Sequence, residues 1–149
     1  MKRIIIDKSL CMGCQNCTIG CMSEHSGGSK SIYALNLTDP ANEGRNHISL
    51  DQVNQPTPIF CRHCDEPECV TACMTGAMTK NEATGVVTYD KEHCAACFMC
   101  VMSCPYGVLK PSACKENKVL RCDLCGDREI PRCVEDCPTE ALRFVEVNS

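Results

Sequence analysis

Residues 61–73 read CRHCDEPECVTAC, four cysteines with two, four and three residues between them and a histidine beside the second. Cysteines this closely spaced occur in zinc sites, in disulfide knots and in repeated metal-binding units. Because a single stretch is compatible with all three, the remaining cysteines of the chain have to decide between them.

Three more cysteine quartets repeat this pattern. CMGCQNCTIGC (11–21) and CAACFMCVMSC (94–104) have two, two and three intervening residues, the ligand spacing of bacterial ferredoxins. In the stretch 61–73 and in CDLCGDREIPRCVEDC (122–137) only the middle gap is wider. In chain order we call them quartets one to four, and their members are Cys11, Cys14, Cys17 and Cys21; Cys61, Cys64, Cys69 and Cys73; Cys94, Cys97, Cys100 and Cys104; and Cys122, Cys125, Cys133 and Cys137.

The spacing favours iron and sulfur over zinc. A C-x2-C-x2-C run brings three thiolates into one tight loop, as three corners of a cubane cluster require, and the fourth cysteine ligates the other cluster in two-cluster ferredoxins. A structural zinc site instead uses two pairs separated by a longer loop. Quartet four alone would fit zinc, but beside three further quartets it is better explained by an iron–sulfur cluster.

Two residues near the quartets have open roles. His63 is interpreted as a hydrogen-bond donor near a cluster or as a surface residue rather than as a ligand, because its quartet already offers four thiolates. Cys114 lies outside every quartet and is interpreted as a small buried apolar residue. Four methionines are predicted to pack around the clusters: Met74, Met78, Met99 and Met102.

The composition indicates an interior filled by something other than large side chains. The 149 residues include 17 cysteines, no tryptophan, three phenylalanines and three tyrosines. An odd cysteine count leaves one thiol unpaired in a disulfide scaffold, and the start MKRIIIDKSL lacks the apolar stretch of a secretory signal. We therefore expect a cytoplasmic location and metal clusters in place of part of the core.

Several function classes are not expected. The net charge of −4 falls to roughly −12 if sixteen thiolates hold four cluster cores of about +2 each, which disfavours a nucleic-acid interface. No apolar run approaches the roughly 18 residues that cross a bilayer. The chain also has neither a G-x4-G-K-[ST] phosphate loop nor a nucleotide-binding glycine fingerprint. These observations predict electron transfer without catalysis by the chain itself.

Short β-branched segments predict small strands at 2–6, 58–60, 85–89, 119–121 and 141–147. A short helix is expected over 70–78, and NEATG (81–85) is typical of a hairpin turn. Residues 23–58 contain no cysteine and are rich in Gly, Ser, Asn and Pro, which predicts a loop-rich excursion that lies on the surface or contacts a partner.

The charges near the quartets differ. Arg121, Arg128 and Arg132 lie in or beside quartet four, among several acidic residues, whereas quartet three contains no charged residue. Positive groups favour the reduced, more negative state of a cluster, and an apolar surrounding disfavours it. A cluster bound by quartet three is therefore expected to be the hardest to reduce.

The arrangement C-R-H-C-D-E-P-E-C followed by x3-C resembles electron-transfer subunits that carry four cubane clusters. Such subunits accompany molybdenum or tungsten oxidoreductases, hydrogenases and carbon monoxide dehydrogenase. The start KRIIIDKSLCMGCQNCTIGCMSEHS (2–26) is most similar to the ferredoxin-type subunit associated with carbon monoxide dehydrogenase. Subunits of formate dehydrogenase, hydrogenase and aldehyde oxidoreductase are alternatives, and a redox sensor is an alternative of a different class.

The resemblance implies an α+β fold with two ferredoxin-like modules packed around four [4Fe-4S] clusters. The outer module would comprise 1–22 and 113–149, the inner module 57–112, and the loop-rich insertion 23–56. The implied pairing is nested, with each cluster held by three cysteines of one quartet and the last cysteine of another: Cys11, Cys14 and Cys17 with Cys137; Cys122, Cys125 and Cys133 with Cys21; Cys61, Cys64 and Cys69 with Cys104; and Cys94, Cys97 and Cys100 with Cys73. Expected partners are a large catalytic oxidoreductase subunit and a second redox protein such as a ferredoxin, a flavoprotein or a hydrogenase.

Iron content tests the assignment of sixteen cysteines as ligands. Anaerobically purified protein should contain about sixteen irons and as many sulfides per chain, because each quartet supplies four thiolates. Cys114→Ser should leave both counts unchanged. A loss of about four irons in that variant would contradict the assignment.

Overall fold

The computed structural model describes residues 1–113, 118–126 and 128–147; Cys114 lies outside these ranges. Its elements are short and most are separated by turns. In chain order they are β1 (Lys2–Ile6), α1 (Asn16–His25), β2 (His47–Leu50), β3 (Pro56–Ile59), α2 (Glu68–Thr71), β4 (Met78–Lys80), β5 (Val87–Tyr89), α3 (Met99–Met102), β6 (Lys110–Pro111), β7 (Val119–Leu120), α4 (Arg132–Glu135) and β8 (Leu142–Glu146).

Strands β1 and β8 bring the two ends of the described chain together. They pair antiparallel along their whole length, with Ile6 opposite Leu142. Helices α1 and α4 also contact each other. Gly20 permits this close approach, because a Cβ at that position would lie 2.2 Å from Asp136 Oδ2. Quartets one and four are therefore neighbours, and their Cys17 and Cys133 share a buried cluster with Phe60 and Leu142.

A second buried cluster lies in the middle of the chain. Strands β4 and β5 form a hairpin whose turn is closed by a 2.7 Å hydrogen bond from the Gly85 N–H to the Asn81 carbonyl. Helix α2 contacts both α3 and β4. The buried members of this cluster are Met78, Cys100, Val108, Leu109 and Val119.

The segment between quartets one and two contains more structure than expected. A 3-10 turn covers Ile32–Ala34, and β2 and β3 form an antiparallel hairpin with Ile48 opposite Pro58. Much of the segment faces solvent, and its exposed large apolar side chains include Tyr33, Leu37, Leu50 and Val53.

The mixture of short helices and two-stranded sheets agrees with the predicted α+β class. Strands lie at or within the segments predicted at 2–6, 85–89, 119–121 and 141–147. The helix predicted over 70–78 is wrong: α2 covers Glu68–Thr71, and Gly76, in the left-handed region at φ +68°, lies in the turn that leads into β4. Strands β2, β4 and β6 were not predicted, because each contains few β-branched residues.

The prediction for the methionines holds for one of them. Met78 is 2 % exposed and packs against Cys100 in the second buried cluster. Met74 and Met102 are 86 % and 81 % exposed, and Met99 is partly exposed, so these three do not fill the interior. None of the helices within the described ranges has the length and hydropathy to cross a bilayer.

Candidate metal centres

One left-handed backbone position is common to all four quartets. The residue directly before the second cysteine adopts a positive φ in every quartet, and these residues are Gly13 (+72°), His63 (+45°), Ala96 (+55°) and Leu124 (+58°). Only the first is a glycine, although positive φ strains residues with a Cβ. The C-x2-C loops therefore share a left-handed residue at the same position as well as the same spacing.

The fourth cysteine of three quartets is also followed by a common turn. Three residues after Cys73, Cys104 and Cys137, the backbone is left-handed at Gly76 (+68°), Gly107 (+60°) and Glu140 (+54°). Cys73 and Cys137 each lie near the hydroxyl of a threonine two residues on, at 3.7 and 3.8 Å. Quartet one differs, since its last cysteine lies inside the ten-residue α1.

Two small cavities are each lined by four cysteines from two quartets. Three thiols of quartet one and the last thiol of quartet four line the first cavity, together with Ile48 and Leu142. Three thiols of quartet two and the last thiol of quartet three line the second, together with Val108 and Leu109. In both, four sulfur ligands converge within apolar walls, which suits an iron–sulfur cluster bound by thiolates.

The other eight thiols also influence one another across quartets. Burial raises the pKa of Cys100, and the nearby Cys73, Cys94 and Cys97 thiols raise it further. Burial likewise raises the pKa of Cys133 far above its usual range, with Cys122, Cys21 and Cys125 adding to the effect. The last cysteine of quartet two is thus close to quartet three, and the last cysteine of quartet one is close to quartet four.

Cys17 and Cys69 are poor thiolates unless a cation joins them. In Cys73 and Cys137, by contrast, burial is outweighed by hydrogen bonds from the backbone and a threonine, which lower the pKa of both thiols. Burial, the largest cause, raises the pKa of Cys17 to about 11, and neighbouring Cys14 and Cys137 oppose its ionisation. The same causes raise the pKa of Cys69 to about 11. Metal binding requires deprotonated thiols and neutralises their charge, so the donor set fits a cationic iron–sulfur core and is unfavourable without one.

Polar residues that the sequence interpretation missed surround Cys21. The Arg45 N–H donates to Cys21 Sγ at 3.4 Å, and His25 Nδ1 lies 2.9 Å from the Cys21 carbonyl. The side chains of Arg45 and His25 both form ion pairs with Asp123. The distance from His25 Nε2 to Asp123 Oδ1 is 3.1 Å. No spacing rule identifies this network, since His25 and Asp123 are 98 residues apart.

Asp123 interacts favourably with both cations of this network, although the Arg45 charge opposes protonation of His25. Burial opposes protonation of His25, but the bonds to Asp123 and Cys21 raise its pKa to about 9. His25, Asp123 and Cys125 place ligand atoms within 4.8 Å of one another. Because Cys125 belongs to quartet four and the other two form an ion pair, this group is better explained as a shell around the cysteines than as a separate metal site.

Exposure differs sharply among the sixteen quartet cysteines. Only Cys14 and Cys97 are exposed, whereas Cys17, Cys21, Cys100, Cys125 and Cys133 are buried and the others are intermediate. His63 is 3 % exposed, so the interpretation as a surface residue is wrong. The surroundings of quartet three are also not free of charge, because the Lys118 ammonium donates to the Cys94 carbonyl.

Comparison with known proteins finds iron–sulfur proteins among the relatives of this chain. Residues 53–147 match the 4Fe-4S dicluster domain. The chain is 35 % identical to an iron-sulfur protein of Rhodospirillum rubrum, over 93 % of the chain and 79 % of that protein. It is 33 % identical to the thiosulfate reductase electron transfer subunit of Salmonella typhi, over 93 % and 72 % of the two chains.

Two further matches are a longer subunit and a solved structure with lower sequence identity. The chain is 30 % identical to the iron-sulfur subunit of the nitrate-inducible formate dehydrogenase of Escherichia coli K12, covering 94 % of the chain but 52 % of that protein. Among solved structures, a chain of the active site complex BamBC of benzoyl coenzyme A reductase superposes with a TM-score of 0.54 at 25 % identity. That superposition covers 97 % of this chain and 79 % of the other.

The left-handed turn at Gly107 predicts that a methyl group added there lowers the free energy of unfolding. Gly107→Ala should destabilise the protein by about 1–2 kcal/mol, because no atom lies within 4 Å of the added Cβ and the strain at φ +60° is the remaining effect. Gly27→Ala is the matched control: its Cβ also meets nothing and its φ is not positive, so the change should stay within about 0.5 kcal/mol. Anaerobic urea unfolding would measure both, and equal midpoints would contradict the strained turn.

Proposed function

Because the chain belongs to the 4Fe-4S dicluster domain family, we propose that it is an electron-transfer subunit that relays single electrons through four [4Fe-4S] clusters. Its partners would be a large catalytic oxidoreductase and a second redox protein. When bound, iron–sulfur clusters supply reversible one-electron redox chemistry. This chain contributes the thiolate ligands, the turns that hold them and the walls that exclude water.

The proposed ligand pairing is nested. Support comes from the cavity that joins Cys137 to quartet one and from the cavity that joins Cys104 to quartet two. The influence of Cys73 on Cys100 and of Cys21 on Cys133 supports the other two pairs. In this arrangement the outer module would consist of 1–22 and 113–149 and the inner module of 57–112, with 23–56 as the insertion between them.

The single observation that carries the relay is the order and exposure of the four thiol groups. Cys17 lies close enough to Cys133 to raise its pKa, and Cys61 does the same to Cys122, so the group of quartet four lies between those of quartets one and two. The groups of quartets two and three share the second buried cluster. Cys14 and Cys97, the two exposed ligands, belong to the groups at opposite ends of this row. Electrons would therefore enter at one end and leave at the other.

We propose carbon monoxide dehydrogenase as the catalytic partner, on the resemblance of residues 2–26 to its ferredoxin-type subunit. Formate dehydrogenase is the alternative, because the chain is similar along 94 % of its length to a formate dehydrogenase iron-sulfur subunit. The exposed apolar side chains of the insertion, among them Tyr33 and Val53, offer area for contact with either enzyme. A cytoplasmic location is part of the same proposal.

Iron counting in double variants tests the pairing. Cys21→Ala combined with Cys122→Ala should remove about four irons, because both residues would ligate one cluster, whereas Cys21→Ala combined with Cys17→Ala should remove about eight. Pairing within each quartet gives the reverse result. The single variants, each expected to lose about four irons, provide the reference.

Electron transfer between purified proteins tests the relay. Carbon monoxide dehydrogenase with carbon monoxide, or formate dehydrogenase with formate, should bleach the visible absorption of the chain anaerobically, and the physiological acceptor should be reduced only when the chain is present. Dye reduction by the catalytic enzyme should persist without the chain. Turnover of either substrate by the chain alone, or no bleaching with either enzyme, would contradict the proposal.

A further inference from the structure

Arg121 is a buried cation without a carboxylate partner in the part of the chain that the structure describes. Arg121 is 6 % exposed, and its Nη1 donates to the Val87 carbonyl. The neighbouring arginines are different: Arg128 pairs with Glu24 and Glu135, and Arg132 pairs with Asp136. Asp123 lines the same cavity as Arg121, but its ion pairs are with His25 and Arg45. A buried charge is unfavourable unless an opposite charge lies nearby, so a further negative group beside Arg121 would be stabilising.

His63 contacts the same guanidinium and has a fixed tautomer. The Val87 N–H donates to His63 Nδ1 at 3.1 Å, and Arg121 Nη2 lies 3.4 Å from the same nitrogen. Because a backbone N–H can only donate, Nδ1 must be unprotonated and the proton of the neutral ring lies on Nε2.

The Nε2–H of His63 is a buried donor with no hydrogen-bond partner among the described residues. Buried donors are nearly always satisfied, so an acceptor outside the protein side chains is expected at this position. His63, whose backbone is left-handed at φ +45°, lines the cavity that Cys61, Cys64, Cys69 and Cys104 also line. Sulfur acceptors of a thiolate-bound cluster at quartet two would satisfy this donor and also provide further negative charge near Arg121.

Both residues lie where two neighbouring thiol groups meet. His63 is within quartet two, and Arg121 directly precedes Cys122 of quartet four. His63 and Val87, which both contact Arg121, line the cavity of quartet two and Cys104. Cys61 in turn influences Cys122, so the two inner groups of the row are adjacent at this point.

We propose that Arg121 and His63 together raise the reduction potential of the cluster bound by quartet two and Cys104. Arg121 supplies a fixed positive charge and His63 a fixed hydrogen-bond donor. Both stabilise the additional negative charge of the reduced state, and their burial limits screening by water. The pair makes this inner position easier to reduce than it would be without the two residues. This inference rests on the proposed four-cluster relay and specifies which residues set one of its potentials.

The test is an anaerobic potentiometric titration of the isolated chain followed by electron paramagnetic resonance. Arg121→Met removes the charge and keeps most of the side-chain volume, and it should lower one of the potentials so that the reduced-to-oxidised ratio at a fixed potential falls about tenfold, a shift of about 59 mV for one electron. Arg121→Lys should retain most of the original potential. The exposed Arg143, replaced by Met, is the matched control and should leave all potentials unchanged.

His63→Ala provides a second, independent variant. Alanine is compatible with this backbone, since Ala96 occupies the equivalent position of quartet three at φ +55°. The variant should lower the same potential as Arg121→Met, at full iron content. If Arg121→Met loses iron, the comparison of His63→Ala with the unmodified protein and with Arg121→Lys still decides the question.

Two results would overturn the inference: unchanged potentials in iron-replete His63→Ala and Arg121→Met, or an equal shift of all potentials. Because the isolated chain is titrated, the result does not depend on any partner enzyme. A chain that shows the predicted shift but accepts no electrons from either dehydrogenase would retain this inference while refuting the proposed partner. Iron content below four clusters would refute the proposed function itself.

Discussion

The gathering of sixteen thiols into four groups is the constraint on which the rest of this structure depends. Buried thiols next to one another resist ionisation, as the raised pKa of Cys17 and Cys69 indicates. The same residues form much of the interior, since both buried clusters contain quartet cysteines and the chain has few aromatic side chains to replace them. Ligand binding and core formation therefore involve the same residues, and the stability of the fold is coupled to the charge of the group that the thiols bind.

Four loops with different sequences share a left-handed residue directly before their second cysteine. Gly13, His63, Ala96 and Leu124 share a backbone conformation although they have unrelated side chains. The position before the second cysteine is thus set by the main chain, and its side chain varies among the four loops. In quartet two this variable position holds a histidine, and the His63 ring is buried beside the Arg121 guanidinium.

Ligand spacing was sufficient to predict the metal class, because C-x2-C-x2-C restricts the geometry of a loop within a few residues, and short β-branched segments predicted several strands. Neither pattern could predict contacts between distant residues. The ion pair between His25 and Asp123 and the buried position of His63 depend on how separate segments pack. Similarly, three arginines near quartet four look equivalent in sequence, and only packing distinguishes the two with carboxylate partners from Arg121. Exposure of Met74 and Met102 was missed for the same reason.

The pairing of β1 with β8 has a consequence for biosynthesis. β1 leaves the ribosome first among the strands, but its partner begins at Leu142 and is made last. At about 5–20 residues per second, β1 and the thiols of quartet one wait on the order of ten seconds for quartet four. The middle of the chain, whose β4–β5 hairpin is local, can fold during that interval. The order of synthesis therefore favours formation of the β4–β5 hairpin before β1 pairs with β8.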